Sequence, residues 1–340
     1  MNPLYPWQAE IWQHLCGLRS RLPHAMLLRG AKGIGKFDLG LQFAQAILCA
    51  TPQANGLACG TCSSCHWLAQ DSHPDFRLVQ PDALAGNEEA EEKESGKKAS
   101  REISIDQIRA LSDFTNLSTH CGGYRVVVIH PAEALNNNAA NALLKTLEEP
   151  GSNLLFILVT HKPQQLLPTI LSRCLSIVVP MPSRELSLAW LQQEGMQKPE
   201  FMLAQAGFAP LEAMNLAGDT VAESNQLLLE ALKQSNRFDP LSLAEQLQRV
   251  APAQIVHLLQ QWCHDLASCK LAKKVRYFSD HAETIGKISE VIRLDELMQY
   301  QKELLAAKRH ATHPLNAKLL FETLFLNYVQ LVRPPSAGKH

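Results

Sequence analysis

Five short runs rich in Val, Leu and Ile, at residues 25–28, 76–79, 125–129, 154–159 and 175–179, show no alternation of apolar and polar positions. A strand with one wet face alternates with a period of two, so unbroken apolar runs predict strands covered on both faces, as in a parallel sheet. Between the runs the period lengthens to that of a helix. Ile105, Ile108 and Leu111 share one face behind Ser104, and Gln107 stands three residues on from that serine as a capping box. Ala140, Leu143, Leu144 and Leu147 share another face over 139–149, and Pro150-Gly151 ends that helix. Strands alternating with helices over the first 180 residues predict an α/β domain with a parallel sheet.

From Pro182 onward the pattern is helical throughout: 185–194, 200–206, 211–217, 221–234, 240–250, 253–272, one long stretch over 280–309, and 315–331. Breaks at Gly195 and Pro199, at 207–210 and at Gly218-Asp219 mark off a small helical domain over 182–218. Residues 219–334 then read as a bundle of about five helices, with a core supplied by positions such as Leu319, Leu320, Leu324 and Leu326, before a tail at 335–340. Within the α/β domain, over 1–181, the segment at about 84–101 carries Glu88, Glu89, Glu91, Glu92 and Glu94 ahead of Lys97 and Lys98, and predicts a solvated, mobile acidic loop.

With 340 residues, 46% of them hydrophobic, the chain has ample material for two or three cores. A formal net charge of −1 excludes a globally basic footprint, so contact with nucleic acid would have to come from a local patch or be shared with partner chains. The first dozen residues hold no basic-then-apolar leader, and no run approaches the roughly 18 apolar residues of a membrane span, which predicts a cytoplasmic protein.

The nine cysteines change the picture because four of them, Cys49, Cys59, Cys62 and Cys65, crowd into one short segment. Four thiolates in a Cys-x9-Cys-x2-Cys-x2-Cys spacing suit tetrahedral Zn²⁺, and four protein ligands leave no open position, so the site over about 49–66 reads as structural. His66 offers a substitute ligand that an all-sulfur site does not need. The same segment holds no Lys or Arg, which argues against a zinc module that grips nucleic acid.

Gly30-Ala31-Lys32-Gly33-Ile34-Gly35-Lys36 follows one strand and opens one helix, the context in which backbone amides cradle phosphates. A phosphate loop ends in Ser or Thr, whose hydroxyl ligates Mg²⁺; here Phe37 stands at that place. Gly30, Gly33, Gly35 and Lys36 therefore read either as a cradle for ATP or ADP or as a glycine-rich turn without nucleotide. The strand over 125–129 leads into His130-Pro131, where an acid for Mg²⁺ and a second to activate water would be needed, and Glu133 lies two positions beyond. Two independent losses in one reaction predict a catalytically silent chain.

Taken together, the loop at 30–36, the cysteine module, Asn-Ala-Leu-Leu-Lys-Thr-Leu-Glu-Glu-Pro at 141–150 and Ser172-Arg173-Cys174 resemble the AAA+ subunits of the bacterial DNA polymerase III clamp loader. The likeness covers residues 7–182, with Trp7-Gln8 and His73-Pro74-Asp75 fitting it, and loosens beyond. It implies an AAA+ P-loop domain with an inserted zinc module, a helical lid over 182–218 and an all-α collar over 219–334. The chain would then sit in a cytoplasmic heteropentamer with gamma/tau and delta subunits, acting in DNA replication on the sliding clamp and primed DNA as part of the polymerase holoenzyme. Phe37, His130-Pro131 and Pro210, which stands where motor subunits carry a sensing arginine, align it with the non-hydrolysing stator of that ring. The resemblance makes Arg173 an arginine finger directed in trans into the ATP site of an adjacent gamma/tau subunit. The alternative is an active, gamma/tau-like ATPase.

Overall fold

The structure is a computed structural model that describes residues 4–84, 100–116, 119–234, 238–310 and 317–332. The acidic run at 85–99 and the tail at 335–340 lie outside the described residues. All five apolar runs form strands: β1 (Ala25–Arg29), β2 (Phe76–Val79), β3 (Arg125–Ile129), β4 (Leu154–Thr160) and β5 (Leu175–Val178). They pair in parallel in the order β2-β3-β4-β1-β5. The register sets Ile129 beside Leu158, and Leu28 beside both Val159 and Ile177, so the carboxyl ends of β3, β4, β1 and β5 finish along one edge.

Burial on both faces holds for β3 and β4, every residue of which is buried, and for β1 up to Arg29. It fails at the edges of the sheet. Arg77 and Leu78 of β2, and Leu175, Ser176 and Val178 of β5, are exposed. An edge strand has a neighbour on one side only, so helices that cover the middle of the sheet need not reach it.

Six helices accompany the sheet: α1 (Ala9–Gly17), α2 (Lys36–Leu48), α3 (Ser63–Ala69), α4 (Ile105–Asn116), α5 (Asn137–Glu148) and the single turn α6 (Pro168–Leu171). The capping box forms at α4, with Ser104 N donating to Gln107 Oε1 at 2.9 Å and Gln107 N donating to Ser104 Oγ at 3.3 Å. α5 begins two residues earlier than the apolar spacing implies, because the Asn136 side chain accepts from Ala139 N at 2.8 Å and caps it. Its buried face is Ala139, Ala140, Leu143 and Leu147, packed with Ile170 and Cys174, while Leu144 is only half-buried.

Contacts divide the chain into two compact units, Met1–Leu186 and Ser187–His340, a division that falls within α7 (Arg184–Gln193). α8 (Pro199–Gln205) and α9 (Pro210–Leu216) follow, and Leu191, Leu203, Ala206 and Ala213 form a small core of their own. A larger core belongs to α10 (Asp219–Lys233), α11 (Pro240–Leu247), α12 (Pro252–Ala272), α13 (Ala282–Val291), α14 (Leu294–His310) and α15 (Ala317–Val332). The single stretch expected over 280–309 is therefore two helices, which makes six in this bundle among the described residues. Ile292 turns extended at the break and buries its side chain, 1% exposed, while Arg293 bonds Asp295 at the start of α14.

At the centre of this bundle Trp262 Nε1 donates to Tyr328 Oη at 2.9 Å, and Tyr328 Oη donates to the Leu232 carbonyl at 3.2 Å, with both rings fully buried. A polar chain in an apolar core stabilises only while each link is satisfied. Tyr328→Phe strands the indole N–H and the carbonyl together, and chemical denaturation should register a loss of about 2 to 3 kcal/mol; a loss under about 0.5 kcal/mol would show that the chain of bonds contributes little.

Candidate functional site

The glycine-rich loop joins β1 to α2 and is shaped for close approach. Gly33 and Gly35 have φ of +77° and +79°, in the left-handed region that favours glycine. A Cβ on Gly35 would stand 2.5 Å from the Tyr5 ring and 2.7 Å from Gln8 Nε2. The residues just before α1 hold the loop from outside: Gln8 Nε2 donates to Gly35 O at 2.7 Å and Trp7 Nε1 donates to Ile34 O at 3.0 Å. Trp7-Gln8 thus has a structural task that apolar spacing gave no means of seeing.

Lys36, 2% exposed, is the first residue of α2. Its Nζ bonds the Ala31 carbonyl and donates to His161 Nδ1 at 2.9 Å. Burial lowers the lysine to about 8, against the nearby Glu133 carboxylate that raises it. The loop has the backbone shape of a phosphate cradle, with its lysine turned onto the Ala31 carbonyl and His161. The half of the site that would hold Mg²⁺ does not fit.

Phe37 and His130 stack face to face, with ring centroids 4.3 Å apart and planes 16° from parallel. An aromatic and a neutral imidazole therefore occupy the neighbouring places of a hydroxyl and a carboxylate that would share the ion, and neither is a hard oxygen ligand. His161 meets His130 edge to face at 5.4 Å. Burial lowers His130 to about 4, helped by His161 and Lys36, and lowers His161 to about 4, helped by Lys36, Lys32 and Lys162. His130 Nδ1 is buried with no hydrogen-bond partner among the described residues.

Glu133 is nearer the loop than its sequence position suggests. It follows the end of β3, yet its carboxylate accepts from Thr160 Oγ1 at 2.8 Å and from His161 N at 3.1 Å, both at the end of β4. Those donors face and bind the carboxylate. No feature of the local sequence marks this pairing, since it joins two different strand ends.

Arg173 lies apart from this group, after α6 and before β5, half-buried between Ile170 and Cys174. Its Nη2 bonds Glu148 Oε1 at 2.6 Å and its Nη1 donates to the Thr169 carbonyl at 3.0 Å. Lys36 and Arg173 are therefore not brought to one site within the chain.

The four cysteines do come together, their Sγ atoms all lying within 4.8 Å of one another. Cys65 to Cys49 is 3.7 Å, and Cys49 to Cys62 and Cys59 to Cys65 are each 3.9 Å. The edge of a tetrahedron with Zn–S arms of about 2.3 Å is about 3.8 Å, so the cluster has the dimensions of a zinc site. Such distances are also far too long for disulfides, whose sulfurs lie about 2.05 Å apart. Without a cation the thiols cannot all ionise: burial pushes Cys65 up to about 12, while hydrogen bonds led by that of Thr51 pull Cys59 down to about 5. Backbone N–H groups of Cys59, Thr61 and Cys62 already point at sulfur, as around a metal thiolate.

His73 and Asp75, carrying no evident chemistry in the sequence, hold this module to the sheet. Asp75 N donates to His73 Nδ1 at 3.0 Å, so the other ring nitrogen carries the proton and donates to Ser64 Oγ at 2.6 Å. Ser64 in turn gives its proton to the Leu48 carbonyl at 2.7 Å. The trio resembles a nucleophilic triad in residue type only, because its histidine has no free acceptor for the serine proton.

A family model described as DNA polymerase III, delta subunit, matches residues 8–183, and one described as DNA polymerase III, delta subunit, C terminal, matches residues 222–330. Across 98% of its length the chain is 35% identical to the DNA polymerase III subunit delta' of Pseudomonas aeruginosa, all of which is covered. The chain belongs to the DNA polymerase III delta' family. Two further members are the delta' subunits of Yersinia pestis, 30% identical over 92% of this chain and 89% of that protein, and of Haemophilus influenzae, 29% identical over 87% and 92%. Among the described residues no helix is long and apolar enough to cross a membrane.

The buried histidines give this delta' chain a pH signature. Both have folded values of about 4, below the ordinary value of about 6.5, so the unfolded chain binds more protons between those limits. Their stabilising neutrality is complete above about pH 6.5 and is lost as pH falls toward 4. His130→Phe keeps a ring against Phe37 and removes one such group. Thermal melts should show the variant matching wild type near pH 7.5 and losing less on going to pH 5; parallel curves would rule out His130 as a source of the acid sensitivity.

Proposed function

We propose that the chain is the non-hydrolysing member of the DNA polymerase III clamp loader, an AAA+ subunit that takes a place in a hetero-oligomeric ring with gamma/tau and delta. In that ring it supplies Arg173 to the ATP site of an adjacent gamma/tau subunit. The observation that carries this reading is the Phe37–His130 stack, with ring centroids 4.3 Å apart, which replaces both metal-holding groups of a phosphate-loop ATPase with groups that cannot serve. The alternative, an active ATPase of its own, would require a ligand set that the residues at these positions do not provide.

Arg173 fits a role outside its own chain. It stands on a backbone anchored by Ile170, 0% exposed, and Cys174, 8% exposed, while its side chain reaches the surface. A guanidinium directed at a transferring phosphoryl group stabilises charge that develops only in the transition state, and such fingers contribute about 10³ to 10⁵ in rate where they act on GTPases. The rest of the chain would then form a fixed wall of a ring that loads the sliding clamp onto primed DNA.

Zinc belongs to the same reading as a structural group. Cys49, Cys59, Cys62 and Cys65 would hold it, and its chemistry is to neutralise four crowded sulfurs and close the loop over 49–65. Trp12 Nε1 on Asn55 O at 3.0 Å and Arg19 Nη1 on Gly56 O at 3.1 Å tie the module to the N-terminal residues from the other side.

Two outcomes are expected. In a ring rebuilt from this chain with gamma/tau and delta, Arg173→Ala should lower DNA- and clamp-stimulated ATP turnover by about 10²-fold or more while the ring still assembles; unchanged turnover in an intact ring would remove the finger from the account. Elemental analysis of the purified chain should find one zinc per chain, lost in Cys62→Ser together with protection of residues 49–65 from proteolysis. A metal-free wild-type chain would reduce the cluster to four thiols.

A further inference from the structure

Glu148 closes α5, directly after Leu147, which is 1% exposed in the same core as Ile170 and Cys174. The backbones that carry Glu148 and Arg173 are thus fixed to one another through buried apolar contacts, and only the two charged ends reach solvent. The Arg173 guanidinium engages Glu148 Oε1 at 2.6 Å through Nη2, and the Thr169 carbonyl at 3.0 Å and Ser172 Oγ at 3.5 Å through Nη1, which leaves Nε and the second N–H of Nη2 to be offered elsewhere.

An acid at this place is costly by itself. Glu148 and Glu149 both stand at the carboxyl end of a helix, where the macrodipole is negative and a cation is preferred. The pair cannot owe its presence to stability alone either, since the side chains are 33% and 50% exposed, in the range where ion pairs contribute about 1 kcal/mol or less. A long arginine left free at the surface would sample many rotamers, and a group that acts on a transition state loses rate with each orientation it must give up first.

We propose that Glu148 is the positioning residue for Arg173. Resting on the trans-acting reading of Arg173, the inference is that Glu148 and the Thr169 carbonyl grip the two terminal nitrogens. This sets the plane of the guanidinium, so that its remaining N–H groups meet an anionic phosphoryl oxygen of a neighbouring chain without a search. Glu148 itself touches no nucleotide and acts through Arg173.

The test is a double-mutant cycle in the reconstituted ring with gamma/tau, delta, clamp and primed DNA, reading turnover and the ATP concentration dependence for Glu148→Gln, Arg173→Ala and the double variant. Glu148→Gln keeps shape and removes charge, and assembly and melting temperature should match wild type. Turnover should fall about tenfold with Arg173 present, with the half-saturating ATP concentration unchanged, and Glu148→Gln should have no further effect in the Arg173→Ala background. Glu148→Asp, which keeps the charge on a shorter arm, should recover part of the loss. An equal fall in both backgrounds would make Glu148 a structural residue and overturn the proposal, as would wild-type or raised turnover in Glu148→Gln. If Arg173→Ala itself leaves turnover unchanged, the trans-acting reading fails instead, so the two failures are distinguishable.

Discussion

The constraint on which the first unit depends is that a parallel sheet must be covered on both faces, since its strands bury every backbone polar group in the ladder and leave apolar side chains on either side. β3 and β4 meet this condition at each position and β1 at all but its last. Parallel pairing then sends every carboxyl end to the same edge, where the chain must leave each strand through a loop. Gly33, Lys36, Phe37, His130, Glu133, Thr160 and His161 are all residues of those exits or just beyond them. Their meeting is a consequence of topology, and it is the edge at which open α/β sheets gather their ligands.

At that edge two kinds of change can be separated by what they leave behind. The backbone part of the loop is retained: glycines with left-handed φ, a buried lysine, and the Trp7 and Gln8 bonds that hold the turn from outside. The metal part is not there: Phe37 and His130 stand where hard oxygen ligands would be needed. Phe37 and His130 stack in a buried setting that holds His130 at about 4, while burial and the neighbouring Lys36, Lys32 and Lys162 hold His161 there as well. The Glu133 carboxylate is bound by two donors at the end of β4 and favours the charged form of Lys36.

Much of this was legible beforehand wherever the signal was local. Unbroken apolar runs located all five strands, Ser104 and Gln107 marked the start of α4, and the spacing of four cysteines announced a cluster whose sulfurs then fell at tetrahedral distances. What escaped were contacts between segments distant in the chain. Phe37 and His130 were each visible as a missing ligand, but their stacking spans 93 residues and has no sequence signature. The partnership of Glu133 with Thr160, and of Arg173 with Glu148, likewise depends on which strand lies beside which. The break at Ile292 was lost because the residues around it keep a helical period; the chain leaves the helix there to bury one side chain, a tertiary gain that outweighs local propensity.

Lys36 and Arg173 stand on different elements and share no bond. A phosphate-loop enzyme that works alone needs cradle, metal ligands, an acid for water and a cation for the transition state in one cleft. Here Phe37 and His130 offer the cradle no hard oxygen ligand, while the arginine is held on another element, its backbone anchored in the core and its side chain at the surface. A cradle without hard oxygen ligands places no demand on Arg173. Arg173 is nonetheless anchored on both sides by buried residues and is met by Glu148 at a helix end that disfavours an acid. On the proposed reading the arginine's target lies in a second subunit, and a cradle without metal ligands and an arginine held elsewhere become two parts of one division of labour.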